Sequence, residues 1–463
     1  MKEKVIQKVI EKLIDIVGRE FVSTHKEESF FYSRDGGTME PCSPDVVVLP
    51  KNSEQISKIL SLANENKIPV YCMGAGLTLS GLHRAIKGGI LIDIKRMDKI
   101  LEVNEKSRYV VVESGVSQGK LQAYLKKNYP HLKHSMPDAP PAATIGGNIA
   151  IHGSGHLSFL GGFHSDMVTG LEVVLANGEI VRTGSCSVSN NWFARAPLPD
   201  LSGLFLGWFA TTGIITKVGL KLYPAYPLSD VRVLTCEDPD LMSELIYRVT
   251  DIHIAEDVMT WMTPRPAWAK DFLNCNVIYG ARTKEELIFK RDLLFEQVRE
   301  FIDKKVAGFL PLLPFMRKRF LDIPGKDLVR FADANKGGGF EYVGAMIPSN
   351  LFADAYRIGL EIVKKNRVTY SFGSRIIGNN HCMMFFYAYA FNRADKEDIK
   401  KAQKALYETN IKILELGGIP WKAELPAQKE ILKRMDKNTK TLLFKIKKLM
   451  DPNHIMSPGN WEE

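Results

Sequence analysis

The sequence predicts a mixed fold, α/β or α+β, built in more than one part. Three observations carry this. Strand and helix patterns alternate from residue 44 to about 130, a hairpin signal follows at 171–183, and the texture changes around Pro224–Pro227. Beyond that point come amphipathic helices and strands with fewer glycines. At roughly 150 residues per domain, 463 residues correspond to two or three domains or one large insertion.

In chain order, Val5 to Val17 carries apolar residues at helical spacing and reads as a helix. A strand at Val46–Leu49 follows Pro44, and Ser53 opens a helix through Asn66. Pro69–Cys72 is a strand, Met73–Gly81 a glycine-rich loop, and Gly89–Ile94 and Tyr109–Glu113 are strands; Ser117–Lys127 is a helix. Ser135–Phe163 has no sustained period, and a long irregular segment inside a compact domain is usually functional. Leu171–Leu175 and Glu179–Thr183 flank Asn177-Gly178, the dipeptide that suits a type I′ hairpin turn. Thr216–Tyr223 is a further strand. Later helices are expected at Pro239–Thr250, Glu285–Phe301, Asn350–Lys364, Lys396–Leu416 and Thr441–Met450, and strands at Tyr342–Ile347 and Met383–Phe391.

Composition excludes several classes. With 45% hydrophobic and 25% charged residues the chain is neither disordered nor fibrous. Net charge is +9, a mild excess without the concentrated basic face of a nucleic-acid binder, so none is expected as partner. The densest basic stretch, Lys429–Lys448, reads as a solvated helix face; docking of an acidic partner is the alternative. The six cysteines form no CxxC pair and no zinc-like spacing with histidine, so neither a disulfide framework nor a cysteine-ligated cluster is expected. The first twenty residues lack an apolar secretory core, and Leu201–Thr216 is too short and broken to span a bilayer. A reducing cytoplasm is the expected compartment.

Two glycine-rich loops carry the chemistry. Gly74-Ala75-Gly76-Leu77-Thr78-Leu-Ser80-Gly81 comes straight after a strand, where glycines let the backbone turn and point N–H groups at phosphate oxygens. It is neither GxGxxG nor a P-loop. The second runs Met136-Pro137-Asp138 to Thr144-Ile-Gly146-Gly147-Asn148, with Gly153 and Gly155 beyond it. Gly146-Gly147 permits close backbone approach, while Thr144 and Asn148 offer hydrogen bonds. Two such loops about one βαβ unit apart suggest a dinucleotide diphosphate.

The order of segments resembles the flavin-binding domain of the vanillyl-alcohol oxidase / p-cresol methylhydroxylase superfamily, which includes glycolate- and D-lactate-dehydrogenase-like FAD enzymes. The resemblance runs through Pro44–Pro50, Gly74–Thr78, Gly89–Asp93, Val112–Gly115, Ala143–Asn148, Gly170–Gly178 and Gly213–Thr216, and returns at Met450–Gly459. It implies an α+β, two-subdomain FAD module at 1–225, an inserted α+β substrate (cap) domain at 226–440, and a C-terminal return at 441–463. It implies that Gly74–Thr78 cradles the pyrophosphate, and that Thr144–Asn148, Ile214 and Ile215 line the flavin and adenosine. Some relatives attach flavin through a histidine in the first loop. Cys72–Thr78 has none, so FAD is expected to be non-covalent, with His381 the nearest candidate for a cap-domain attachment.

For catalysis the resemblance points to Asp166 as an acidic residue near the flavin, with a turn cap as its plainer reading. Arg375 is a candidate carboxylate clamp and His381 a candidate acid/base. Lactate-type relatives carry a histidine-rich metal pattern; Arg375–His381 and Gly418–Glu424 keep only His381 of it, so no metal is expected. In the aryl-alcohol branch a Tyr-Arg pair holds a phenolate. Trp421 and Lys422 stand there instead, and Lys422 can pair with an anionic oxygen. Met383–Tyr387 is expected to be core. Val306–Met316, flanked by Lys304-Lys305 and Arg317–Arg319, reads as a packed loop or, alternatively, as a membrane or redox-partner contact.

The function implied is an FAD-linked dehydrogenase or oxidase acting on an aryl or alkyl alcohol, an alkylphenol or a 2-hydroxy acid. The alternative is an FAD-holding electron-transfer subunit of a larger redox complex. Partners are a small-molecule substrate and an electron acceptor, which includes a redox protein; a homo-oligomer is compatible.

Overall fold

A computed structural model describes residues 2–262, 272–314, 316–317, 321 and 337–463. Three larger sheets organise the described residues, beside a two-stranded pairing of Leu132–Lys133 with Tyr223–Pro224. The first has four strands ordered Val22–Ser23, Val46–Val48, Ile90–Asp93 and Val70–Met73, the last three parallel. Val46, Val47 and Val48 are all buried, as befits a parallel sheet covered on both faces. The helix Ser53–Asn66 covers one face with Ile56, Ile59, Leu60 and Ala63. Its N-cap is Asn52, which accepts from the Gln55 N–H at 2.9 Å. Ser53, the first helical residue as the sequence predicts, donates to buried Glu172 at 2.6 Å and ties this sheet to the next.

The second sheet is antiparallel, ordered Ile100–Asn104, Tyr109–Glu113, Ile214–Lys221, Val168–Val174 and Ile180–Gly184. The Asn-Gly hairpin is present, but only Gly178 adopts positive φ, at 89°. The turn closes through Gly178 N–H to the Leu175 carbonyl at 2.9 Å, so it is not type I′, which needs two such residues.

The third sheet has eight antiparallel strands, ordered Ala307–Pro311, Leu228–Cys236, Leu273–Ala281, Asp257–Met262, Thr369–Ile377, Cys382–Phe391, Gly339–Ile347 and Ile419–Trp421. Helices Pro239–Asp251, Lys284–Asp303, Phe352–Asn366 and Lys396–Leu416 pack on one face around a single apolar core. Several of these strands give no clean apolar alternation in the sequence because both faces are buried, one of them with paired polar groups. Thr260 and Ser374, both fully buried, bond each other across strands at 2.8 Å.

Val306–Met316 packs on the core in part, through Ala307 and Phe309, but not as a loop. Ala307–Pro311 is an edge strand paired with Leu228–Cys236, and Leu310 and Leu313 are more than half exposed. Phe315, Lys318 and Arg319 of that stretch lie outside the described residues. The basic stretch 429–448 falls on helices Leu425–Arg434 and Lys437–Met450; Lys447 is buried there, bonded to Glu462 at 3.1 Å. The C-terminus returns to the first sheet. Val70 N–H donates to the Ile455 carbonyl at 2.7 Å, and Ser457 N–H to the Val70 carbonyl at 2.8 Å. Among the described residues no helix is long and apolar enough to cross a membrane.

Candidate active site

A cavity of about 390 Å³ lies where the two glycine loops meet the open face of the eight-stranded sheet. The loops build one end. A Cβ on Gly74 would stand 2.2 Å from Thr144 Oγ1, and one on Gly146 would stand 2.5 Å from Ser114 Cβ. Each glycine therefore lets its backbone lie directly against a side chain of the neighbouring loop. Thr144 caps the short helix Ile145–Ala150, accepting from Gly147 N–H at 3.3 Å. Gly74, Ala75, Gly76, Leu77, Thr78, Pro137, Asp138, Thr144, Gly146, Gly147, Asn148, Ile214 and Ile215 all line the cavity.

This end fits FAD. Thr78 Oγ1 and His83 Nε2 are buried cavity-wall atoms without a protein partner among the described residues, and such atoms are costly unless a ligand bonds them. Phe205, Ile94, Ile214 and Ile215 add apolar surface for a flat ring. Two expected cofactor residues fall elsewhere. Ser80 is buried against its own loop, 3.4 Å from the Thr78 carbonyl, and Gly153 packs on the Asn148 carboxamide. Neither lines the cavity.

The other end is aromatic. Tyr342 stacks on Phe386 at 5.6 Å, Trp261 meets Phe386 edge-on at 5.8 Å, and Trp421 meets Tyr342 edge-on at 6.1 Å. Strand alternation explains the set: Met384 and Phe386 face the cavity, while Met383, Phe385 and Tyr387 enter the core. The expectation that all of Met383–Tyr387 is core therefore holds for only one face.

Arg375 is 1% exposed and lines this end. Its Nε and Nη2 donate to Asp257 at 2.9 Å each, and its Nη1 donates to Asp138. The guanidinium is thus consumed by two internal carboxylates, neither free to clamp a substrate nor lying on the surface. Asp138 Oδ1 is buried without a hydrogen-bond partner among the described residues, with His156 Nε2 3.9 Å away. Trp421 Nε1 donates to the carbonyls of Ile151 and, at 3.0 Å, of His152. Lys422 is buried; its Nζ donates to the Thr78 carbonyl and lies 4.6 Å from the Tyr342 ring centre and 5.2 Å from that of Trp421. Burial pushes its ammonium down to about 8. Burial also pushes Glu341, which accepts from Thr38 N–H at 2.8 Å and Thr38 Oγ1 at 2.7 Å, up to about 8.

Two expected catalytic residues are not brought here. Asp166 is exposed and accepts from Phe163 N–H at 2.9 Å, so its turn-cap reading is the observed one. His381 is exposed on the turn between Thr369–Ile377 and Cys382–Phe391. Neither lines the cavity. Sequence reasoning missed Tyr342, Trp261, Phe386, Asp257 and His83. Period-two alternation was the available signal for Phe386; Asp257 had none, because its partner is 118 positions away. Among the described residues no three His, Cys, Asp or Glu side chains group as a metal site would require.

Comparison with known proteins agrees with this geometry. Residues 44–184 match the FAD binding domain family. The chain is 29% identical over 300 residues to the glycolate oxidase subunit GlcD of Bacillus subtilis, covering 64% of this chain and 62% of that protein. It is 28% identical over 261 residues to the 4-cresol dehydrogenase [hydroxylating] flavoprotein subunit of Pseudomonas putida, covering 54% and 49%. These alignments thus span about half to three fifths of each relative. Its fold matches a crystal structure of p-cresol methylhydroxylase with substrate bound, with a TM-score of 0.87 and 21% identity over 99% of this chain and 97% of that one. The chain therefore carries an FAD-binding domain, is homologous to the FAD-linked glycolate oxidase and 4-cresol dehydrogenase proteins, and has the p-cresol methylhydroxylase fold.

Proposed function

We propose that this chain is an FAD-linked oxidoreductase that oxidises a small, largely apolar hydroxylated substrate, an aryl or alkyl alcohol or an alkylphenol. The observation that carries the reading is the aromatic wall of the cavity, which Asp138 also lines with an Oδ1 that makes no hydrogen bond among the described residues. Bound FAD, held by the Gly74–Thr78 and Thr144–Asn148 loops and Ile214–Ile215, supplies the hydride acceptor. The protein's residues do the rest. Trp261, Tyr342, Phe386 and Trp421 hold an apolar ring or chain and exclude water. Asp138 accepts the substrate's proton at Oδ1 while Arg375 fixes the carboxylate through Oδ2.

A 2-hydroxy acid is the less favoured substrate. Its carboxylate needs a free cation, and the charge of Arg375 is already balanced by the Asp138 and Asp257 carboxylates. The cavity's remaining cations are Lys422, engaged by the Thr78 carbonyl, and exposed Arg393. The subunit status in the 4-cresol dehydrogenase name supports a separate electron acceptor. In this reading residues 1–225 and 441–463 hold the cofactor and 226–440 supply the substrate wall.

An anaerobic absorbance titration tests the proposal. Aryl alcohols and alkylphenols are expected to bleach the flavin band, and 2-hydroxy acids to leave it. Bleaching by 2-hydroxy acids alone would reverse the substrate assignment. A yellow protein that no panel member bleaches would favour the electron-transfer subunit.

A further inference from the structure

Beneath the cofactor end of the cavity lies a buried polar chain that the proposed reaction does not use. Leu157 N–H donates to Ser135 Oγ at 3.1 Å. Ser135 Oγ lies 2.8 Å from His164 Nε2, and His164 Nδ1 bonds Asn148 Oδ1. Ser135 and His164 are both buried, and Asn148 lines the cavity.

One order of donors satisfies every group in this chain among the described residues. Ser135 Oγ already accepts from Leu157, so its own proton needs an acceptor, and His164 Nε2 is the acceptor in reach. The proton of a neutral imidazole then sits on Nδ1 and donates to Asn148 Oδ1. Burial agrees with the neutral ring, holding His164 down at about 3. With Oδ1 turned inward, the Asn148 NH2 group is left as a donor with no protein acceptor given to it among the described residues. Gly153 makes the room: a Cβ there would lie 2.2 Å from Asn148 Nδ2. The mirror arrangement, with the carboxamide flipped, would leave the Ser135 hydroxyl proton without an acceptor.

We infer that His164 is a positioning residue, set by Ser135, that turns the Asn148 carboxamide so that its NH2 group donates to bound FAD. Asn148 then recognises an acceptor atom of the cofactor, and His164 acts only through it.

The test is a double-mutant cycle on FAD affinity, read by quenching of flavin fluorescence when the full-length apoprotein is reconstituted. Asn148→Ala and His164→Leu are each expected to weaken FAD binding about tenfold, the worth of one good hydrogen bond. The double variant is expected to bind no more weakly than either single one, because both remove the same contact. His164→Gln, which keeps a donor toward Asn148, is expected to recover most of the affinity and the wild-type flavin absorbance maxima. If His164→Leu does not fold, Ser135→Ala replaces it in the cycle with the same expectation of non-additivity. Unchanged FAD affinity in His164→Leu or in its replacement, or losses that multiply to about a hundredfold in the double variant, would overturn the inference.

Discussion

Arg375 and Asp257 stand on adjacent strands and meet through two parallel hydrogen bonds of 2.9 Å. The register sets this up. Arg375 lies opposite Met259, and Asp257, two residues along, shares its face of the sheet. Both side chains are almost wholly buried, so neither charge has water to fall back on. Removing one partner leaves the other stranded. Asp257→Ala is expected to lower stability by about 3–5 kcal/mol in urea denaturation of the FAD-loaded protein. A loss under about 1 kcal/mol would mean that Asp138 alone satisfies the guanidinium.

Asp138 shares that guanidinium through Oδ2, and its Oδ1 makes no hydrogen bond among the described residues. Asp138→Asn preserves shape and removes the proton acceptor. The expected result is flavin reduction slowed by about 10²–10⁴ with FAD content unchanged. Anaerobic stopped-flow absorbance measures it, and a wild-type reduction rate would remove Asp138 from the chemistry.

Gly74 has no space for a methyl group beside Thr144 Oγ1. Gly74→Ala is expected to drive the two loops apart and yield protein with little flavin, seen as a collapsed ratio of visible to ultraviolet absorbance. Adding Thr144→Ala removes the obstructing hydroxyl and should restore part of the flavin content. The lost helix cap would still cost about 1 kcal/mol. If the single variant purifies fully yellow, the loops tolerate separation.

Glu341 gives a pH signature. Burial raises its carboxyl from 4.5 to about 8 in the folded protein, so the folded state binds the proton more tightly than the unfolded chain. Its contribution to stability is full below pH 4.5 and is lost as pH rises through 8. Glu341→Gln keeps an acceptor for Thr38 and does not titrate. Melting temperatures of the two proteins should therefore diverge between pH 5 and 8, the variant gaining relative to wild type as pH rises. Parallel curves would show that Glu341 is charged in the fold.

Much of the cofactor end was legible in the sequence. A strand running into Gly74–Thr78, a cap at Thr144, and Gly146-Gly147 are local features, readable within a dozen residues. Ile214 and Ile215 came with the resemblance. The opposite end was less legible, since Trp261, Tyr342, Phe386 and Trp421 come from four strands scattered over 160 positions. Asp166 and His381 were plausible by residue type and position along the chain, yet both ended on exposed turns.

By itself, then, the sequence determined the mixed architecture and two glycine loops suited to a dinucleotide diphosphate, with FAD implied by the resemblance, because glycine turns, caps and hydrophobic periods act over short stretches of chain. Only the tertiary structure decided which charges belong together. Asp138 pairs with Arg375 across 237 positions, and Arg375 with Asp257 across 118. Such pairs exist because a long antiparallel sheet buries both faces and leaves every charge inside it in need of a partner, and no local pattern records which partner that is.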